Sequence, residues 1–330
     1  MIDTDVSLFG VFAAGVSDVT YDREPISMDD GGTISLDWYP ARQHEAQPGA
    51  KAQPIAIIIP GVCGSSQEHH VRSMAKILAN EKAHKDRRYR VAVINYRGTG
   101  KTMLTSSRIN GAHDTDDLNN IVQHIRRLDP GTPLVAIGFS LGANILTRYL
   151  GETKNESPFV AAVSICCPFD LEIAGRAVDA RGFLNDNVFQ PNLITAVKRA
   201  VRRNSEFIKT SDVGYDVDAI LASKRMSEID TLLMAKQCGY KNCWEYYRAA
   251  SSVPHVDDIR TPYLAINALD DPVTPFGGIP VDKFTTNPFT ALVLLKHGGH
   301  LGFFTGLKPQ IWYLEPIREF FDVFAFRPEN

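Results

Sequence analysis

Cysteine is scarce in this chain and odd in number: Cys63, Cys166, Cys167, Cys238 and Cys243. Five thiols in apolar or helical surroundings do not make a paired framework. This argues against a disulfide-stapled secreted scaffold and for reduced thiols in a cytosolic setting. Cys238 and Cys243 lack a second pair at zinc-finger spacing, so no structural metal is expected. An excess of one charge is missing too. Lys and Arg number 35, Asp and Glu 38, for a net charge of −3, and so weak a field gives no reason to expect nucleic acid. No apolar run approaches the roughly 20 residues that span a bilayer. The first residues lack the Lys/Arg region of a signal peptide. Met1 to Thr20 is mixed and mildly apolar, with Val6, Leu8, Phe9, Val11 and Phe12. It reads as a segment packed on the body of the protein, with contact to a membrane surface as the other reading. Repeats and low-complexity tracts are absent.

What remains is ordinary globular composition over 330 residues, 44% of them hydrophobic, enough for one large core. Val19 to Ser27 and Thr33 to Tyr39 read as strands around the turn Asp29-Asp30-Gly31-Gly32. Gln43 to Gln53 is polar, hence a surface loop. Pro54 to Ile59 is fully apolar, as a parallel strand buried on both faces would be, and Arg90 to Asn95, Leu134 to Phe139, Phe159 to Cys166, Pro262 to Asn267 and Thr290 to Leu295 read as the further strands. Helical patterns lie between them: Ser66 to about Ala83, His113 to Leu128 with Asp116 and Asp117 at its N-terminal end, the run after Ser140, and Gln310 to Phe324. This alternation predicts an α/β fold, a mostly parallel sheet with helices on both faces. The alternation breaks over residues 172–258, where helical patterns stand alone (Ile194 to Ile208, Asp218 to Met226, Ile229 to Ala250). The expectation is a single domain, 1–330, with 172–258 inserted as a helical cap above the strand ends. Lys198, Arg199, Arg202 and Arg203 read as a solvated helix face.

One stretch carries the chemistry. Leu134 to Phe139 runs as a buried strand into Gly138-Phe139-Ser140-Leu141-Gly142, and Leu141, Ile145, Leu146 and Tyr149 continue at helical spacing. A G-x-S-x-G sequence between strand and helix is the pattern of a nucleophile elbow. The turn is so tight that side chains at Gly138 and Gly142 would strike backbone. Ser140 then stands at a helix N-terminus, where developing negative charge is favoured.

A serine hydroxyl needs a base, and the base needs a carboxylate. In an elbow-type site these follow in the order Ser, acid, His. Asp271 lies just past the Pro262–Asn267 strand and His300 just past the Thr290–Leu295 strand, both at the sheet edge where the elbow projects. Asp271 is favoured over Asp270, which reads as a turn cap, and over Asp170. His300 is favoured over His297 because Gly299 and Gly302 flank it. His69, His70, His113 and His124 read as surface or structural. For an oxyanion the donors would be Leu141 N–H and an N–H of Gly61-Val62-Cys63-Gly64, with Val62 preferred and Cys63 second. No cofactor and no metal are implied.

These motifs support a resemblance. Asp30-Gly31-Gly32, Pro60 to Ser66, Asn95-Tyr96-Arg97-Gly98, Gly138 to Asn144, Tyr246 to Ser251, Asn267 to Pro272 and Gly298 to Gly302 occur in family order along almost the whole chain. The chain resembles the α/β-hydrolase superfamily, and within it the ABHD2/ABHD3-type branch. That branch includes bacterial YheT-like proteins and yeast medium-chain ethyl ester synthase/esterases. Pro60 stands where many members have His, and many eukaryotic members carry an N-terminal anchor not seen at this N-terminus. The resemblance implies action on carboxylic esters, including medium-chain acyl esters and phospholipids, with Ser140, Asp271 and His300 as triad. The expected function is a serine esterase or lipase for acyl esters with a hydrophobic, short- to medium-chain acyl group. Transfer of the same acyl group to an alcohol is the alternative, and a non-catalytic binding protein the third reading. The expected partner is a small acyl ester or lipid, with no nucleic acid. The expected location is the cytoplasm, with peripheral membrane contact left open.

Overall fold

A computed structural model describes residues 19–41, 53–79, 87–183, 185–307 and 309–326. The N-terminal apolar stretch up to residue 18 and most of the polar loop at 43–53 lie outside them. Strands β1 (Asp22–Ser27) and β2 (Thr33–Tyr39) form the expected antiparallel pair. Then come β3 (Ile55–Ile59), β4 (Arg90–Asn95), β5 (Leu134–Phe139), β6 (Phe159–Ile165), β7 (Tyr263–Ala268) and β8 (Thr290–Leu295). The eight strands make one sheet in the order β1-β2-β4-β3-β5-β6-β7-β8. From β4 to β8 every pairing is parallel.

Side chains alternate across a strand, so each apolar strand feeds two cores. Ile55, Ile57 and Ile59 face α2 (Thr115–Leu128) and α3 (Leu141–Thr153), against Ile121, Ile125 and Ile145. Ala56 and Ile58 face α1 (His69–Leu78) and, at the chain's end, the helix Leu314–Ala325, against Met74, Ile317 and Phe321. All of β3 is buried, which is why it contains no polar residue.

Between β6 and β7 the described residues hold no strand. They form α4 (Leu171–Asp179), α5 (Gln190–Arg203), α6 (Ser205–Lys209), α7 (Val217–Ala222), α8 (Met226–Asp230) and α9 (Cys243–Ala250). These helices share a third core, with Val197, Val201, Ile229, Leu233 and Tyr246. Leu104 and Ala112, from the loop after β4, belong to it, and Val62 and Leu141 pack against it. The helical layer thus lies on the edge of the sheet where β3, β4 and β5 end.

Some local expectations need correcting. Ile229 to Ala250 is not one helix. Gly239 turns the chain at φ 75, and Asn242 starts α9 afresh by accepting the N–H groups of Trp244 and Glu245. The last helix does not begin at Gln310. Gln310–Ile311 (β10) pairs with Phe304–Thr305 (β9) as a short ribbon. A short α10 (Val281–Thr286) packs on β8. The last helix, α11, starts at Leu314, and Pro316 sits in its first turn, where an amide proton has no intrahelical acceptor. The basic face of α5 is mostly exposed, as expected. Arg199, Arg202 and Arg203 are exposed and Lys198 is half-buried; Lys198 donates to Ser223 O and Arg203 to Gly98 O. Among the described residues no helix is long and apolar enough to cross a membrane.

Candidate active site

The turn from β5 to α3 places Ser140 at φ 50, ψ −118. A residue with a side chain rarely adopts that region, and here the surroundings leave no other path. A Cβ on Gly138 would lie 2.5 Å from Gly142 O, and one on Gly142 would lie 2.2 Å from Ile59 O. Both glycines are therefore required by close backbone approach, as the motif suggested.

Ser140 Oγ lies 2.9 Å from His300 Nε2, and His300 Nδ1 lies 2.8 Å from Asp271 Oδ2. The Asp271 side chain is fully buried and the His300 ring nearly so. Burial by itself would raise the Asp271 carboxyl. The neighbouring His300, the Thr274 hydroxyl and the Thr274 N–H outweigh it and hold the group below the ordinary carboxylate range. An ionised Asp271 can only accept, so Nδ1 of His300 carries the proton and Nε2 is left to accept from Ser140 O–H. Because the folded pKa is depressed, this carboxylate stabilises the fold above the unfolded value of about 3.9. That contribution fades as pH falls through the folded value.

The loop that carries His300 is held at two places. Asp270 Oδ1 accepts the N–H groups of Gly298 and Gly299, each at 2.9 Å, and Oδ2 lies 3.3 Å from His297 Nδ1. From beneath, Cys166 Sγ accepts Leu301 N–H at 3.3 Å and donates to Gly299 O at 3.7 Å. Asp270 and Asp271 are thus adjacent but serve different ends. The first holds the loop backbone, and the second holds the imidazole. Cys166 Sγ, Asp271 and His300 offer ligand atoms within 4.8 Å of one another. Each residue is already committed to hydrogen bonds, and burial keeps the Cys166 thiol protonated.

On the other side of Ser140, Gly61 comes so near that a Cβ there would lie 3.3 Å from Ser140 Cβ. Val62 and Leu141 line the cavity beside Ser140. Leu141 opens α3, so its N–H has no intrahelical acceptor. Cys63 follows at φ 54. Burial, then the carboxylates of Asp230 and Glu68, push its thiol up to about 12, and it packs against the third core. Of the two readings given for His70, surface or structural, the second holds: it is a core residue. Its ring stands edge-on to Phe139 and burial pushes it down to about 3, so it is neutral.

Ser140 and His300 open into a cavity of about 770 Å³, within the size range of small-molecule sites. Leu171, Val178, Val197, Leu233 and Met234 line it on the side of the helical layer. Several residues that build this site are not marked by any pattern of their own. Asn144 donates to Ala112 O and Ala250 O and accepts Ser252 N–H, tying the elbow helix to the helical layer. Tyr246 accepts Ala112 N–H. Asp117, expected merely to suit a helix N-terminus, turns inward and pairs with Arg97. Asn144, Tyr246 and Arg97 stand out in the sequence only through their place in the family-ordered motifs, and Asp117 lacks even that.

A parallel sheet with a serine at this elbow, bonded to a histidine and an acid from the next strand ends, is the architecture of an α/β hydrolase. The family model described as "alpha/beta hydrolase fold" matches residues 54–307, and the chain belongs to that family. Within it the chain is a member of the ABHD3-like branch. Mouse "Phospholipase ABHD3" is 30% identical over 312 residues, covering 94% of this chain and 73% of that one. The "Monoacylglycerol lipase" of Saccharomyces cerevisiae is 31% identical over 275 residues, covering 83% of this chain and 60% of its own. Among solved structures, the esterase Pf2001 of Pyrococcus furiosus superposes with a TM-score of 0.57 at 16% identity, covering 93% and 94% of the two chains. That last likeness is one of fold.

Proposed function

We propose that this chain is a serine esterase or lipase that hydrolyses carboxylic esters with a hydrophobic, short- to medium-chain acyl group. The observation that carries the reading is the unbroken hydrogen-bonded chain Ser140–His300–Asp271 opening into an apolar cavity. The lipase and phospholipase names among the relatives agree with it. His300 Nε2 takes the Ser140 proton as Oγ attacks the ester carbonyl. The N–H groups of Leu141 and Val62 receive the oxyanion. His300 then passes the proton to the departing alkoxide oxygen, the alcohol leaves, and an acyl-enzyme remains. Water, deprotonated by His300, attacks the acyl-enzyme and releases the acid. The helices of residues 172–258 act as a cap whose apolar faces shape the acyl cavity. No step in this scheme calls for a cofactor.

The test is a p-nitrophenyl ester series from acetyl to palmitoyl. A rate maximum at an intermediate chain length is expected, together with labelling of Ser140 by a fluorophosphonate. No turnover of any ester and no labelling would overturn the reading. Ethanol in the same reactions separates hydrolysis from transfer, since ethyl esters form only if an alcohol reaches the acyl-enzyme.

Asp270 has a positioning role in the same scheme. Asp270→Ala frees the backbone of Gly298 and Gly299, and a slack His300 loop is expected to lower kcat by roughly tenfold. KM should move less, because no acyl contact is removed. Unchanged kcat in the variant would mean that Cys166 and the glycines hold the loop unaided.

A further inference from the structure

The cavity wall formed by α4, α5, α8 and the turn that follows α8 is apolar, with Val178, Val197, Met226 and Leu233. Asp230, the last residue of α8, lines the same cavity. Tyr247 donates its hydroxyl to Asp230 Oδ2 at 2.5 Å, and no hydrogen bond among the described residues engages Oδ1. No Lys or Arg pairs with this carboxyl among the described residues. Burial pushes it up to about 7, the Tyr247 bond opposes the rise, and Asp179 adds to it. A second polar atom on the same cavity, Asn110 Oδ1, is buried without a hydrogen-bond partner. A polar group left unpaired on an apolar wall disfavours a plain alkyl chain and favours a ligand that can pair with it.

His297 and Asp270 on the cavity lining have side chains 88% and 43% exposed. With the leaving alcohol toward these exposed residues, the acyl chain lies along the apolar wall. We propose that Asp230, held by Tyr247, is a hydrogen-bonding subsite within the acyl cavity for a hydroxyl group carried on the substrate's acyl chain. This rests on the ester-hydrolase reading above and narrows its substrate class to hydroxyacyl esters. A hydroxyl fits this carboxyl in either state, donating to the carboxylate and accepting from the acid. A ketone can only accept, and a second carboxylate would be repelled.

The experiment walks a hydroxyl along the chain of p-nitrophenyl decanoate and compares kcat/KM with that of the unsubstituted ester. Burying an unmatched hydroxyl lowers kcat/KM by about tenfold or more. Wild type is expected to show that penalty at most positions and to escape it at the one facing Asp230. In Asp230→Leu the favoured position should fall into line with the rest, a loss of about tenfold in the ratio. Asp230→Asn keeps an acceptor for Tyr247 and a polar group for the substrate, so it should retain the favoured position. An even penalty at every position in wild type would overturn the subsite, whatever the variants do. So would a favoured position that survives in Asp230→Leu. Turnover of the unsubstituted ester, lost in Ser140→Ala, tests the ester reading separately. Should no ester turn over, calorimetric affinities of the hydroxydecanoic acids relative to decanoic acid, for wild type and Asp230→Leu, decide the subsite by the same pattern.

Discussion

Ser140→Ala is expected to lower kcat by about 10⁴- to 10⁶-fold with the fold intact. The change removes one oxygen, the atom that lies 2.9 Å from His300 Nε2. Alanine keeps the Cβ, and with it the backbone that the glycines on either side enforce. His300→Ala should lose about as much, and the double variant no more than either, because groups that move one proton in concert act as a unit. Asp271→Asn should cost about 10⁴-fold, since an amide in place of the acceptor turns the imidazole to the wrong tautomer. Single-turnover rates with a saturating p-nitrophenyl ester measure all four. A Ser140→Ala rate within tenfold of wild type would remove Ser140 from the chemistry. Additive losses in the double variant would break the link between Ser140 and His300.

The largest effect on stability is expected at Asp117. Its two oxygens accept Nε and Nη2 of Arg97, each at 2.7 Å, and both side chains are almost wholly buried. Nη1 of the same arginine reaches Asp30 in the β1–β2 turn and Ser106 in the loop after β4. One cation thus ties a hairpin, a helix and the loop under the cavity. Asp117→Ala leaves the guanidinium buried against its missing partner and should cost about 3–5 kcal/mol, seen as a fall in the urea midpoint. Replacing the pair together, Arg97→Met with Asp117→Leu, should recover much of that loss, because no buried charge remains. KM is expected to rise in Asp117→Ala, since Arg97 itself lines the cavity. A loss below about 1 kcal/mol would mean that Asp30 and water satisfy Arg97 without the helix.

The elements of the sheet and the three members of the hydrogen-bonded chain were legible because their signals are local. A strand buried on both faces must be apolar at nearly every position, so β3 through β6 announce themselves in composition. A turn that brings Gly142 against Ile59 O tolerates no Cβ, so the elbow shows as two glycines around Ser140. Residues just past strand ends share one edge of a parallel sheet, so order along the chain was enough to bring Asp271 and His300 to Ser140.

The residues around that chain were decided elsewhere. The turn that follows favours Asp271 over Asp270 as the acid, but only the arrival of the residue 298–301 backbone gives Asp270 the loop to hold. Asp117 reads as a helix-end acid until β4 delivers Arg97 beside it. Ile229 to Ala250 keeps a helical pattern across Gly239, and the break shows only where Asn242 caps a new helix. No sequence pattern singles out Asp230, and packing of the helical layer places it on the cavity beside Tyr247. Periodicity and tight-turn sterics act between neighbours in the chain and so are written in the sequence. Pairing of buried charge and polar groups depends on which distant segments meet, which the tertiary structure alone determines.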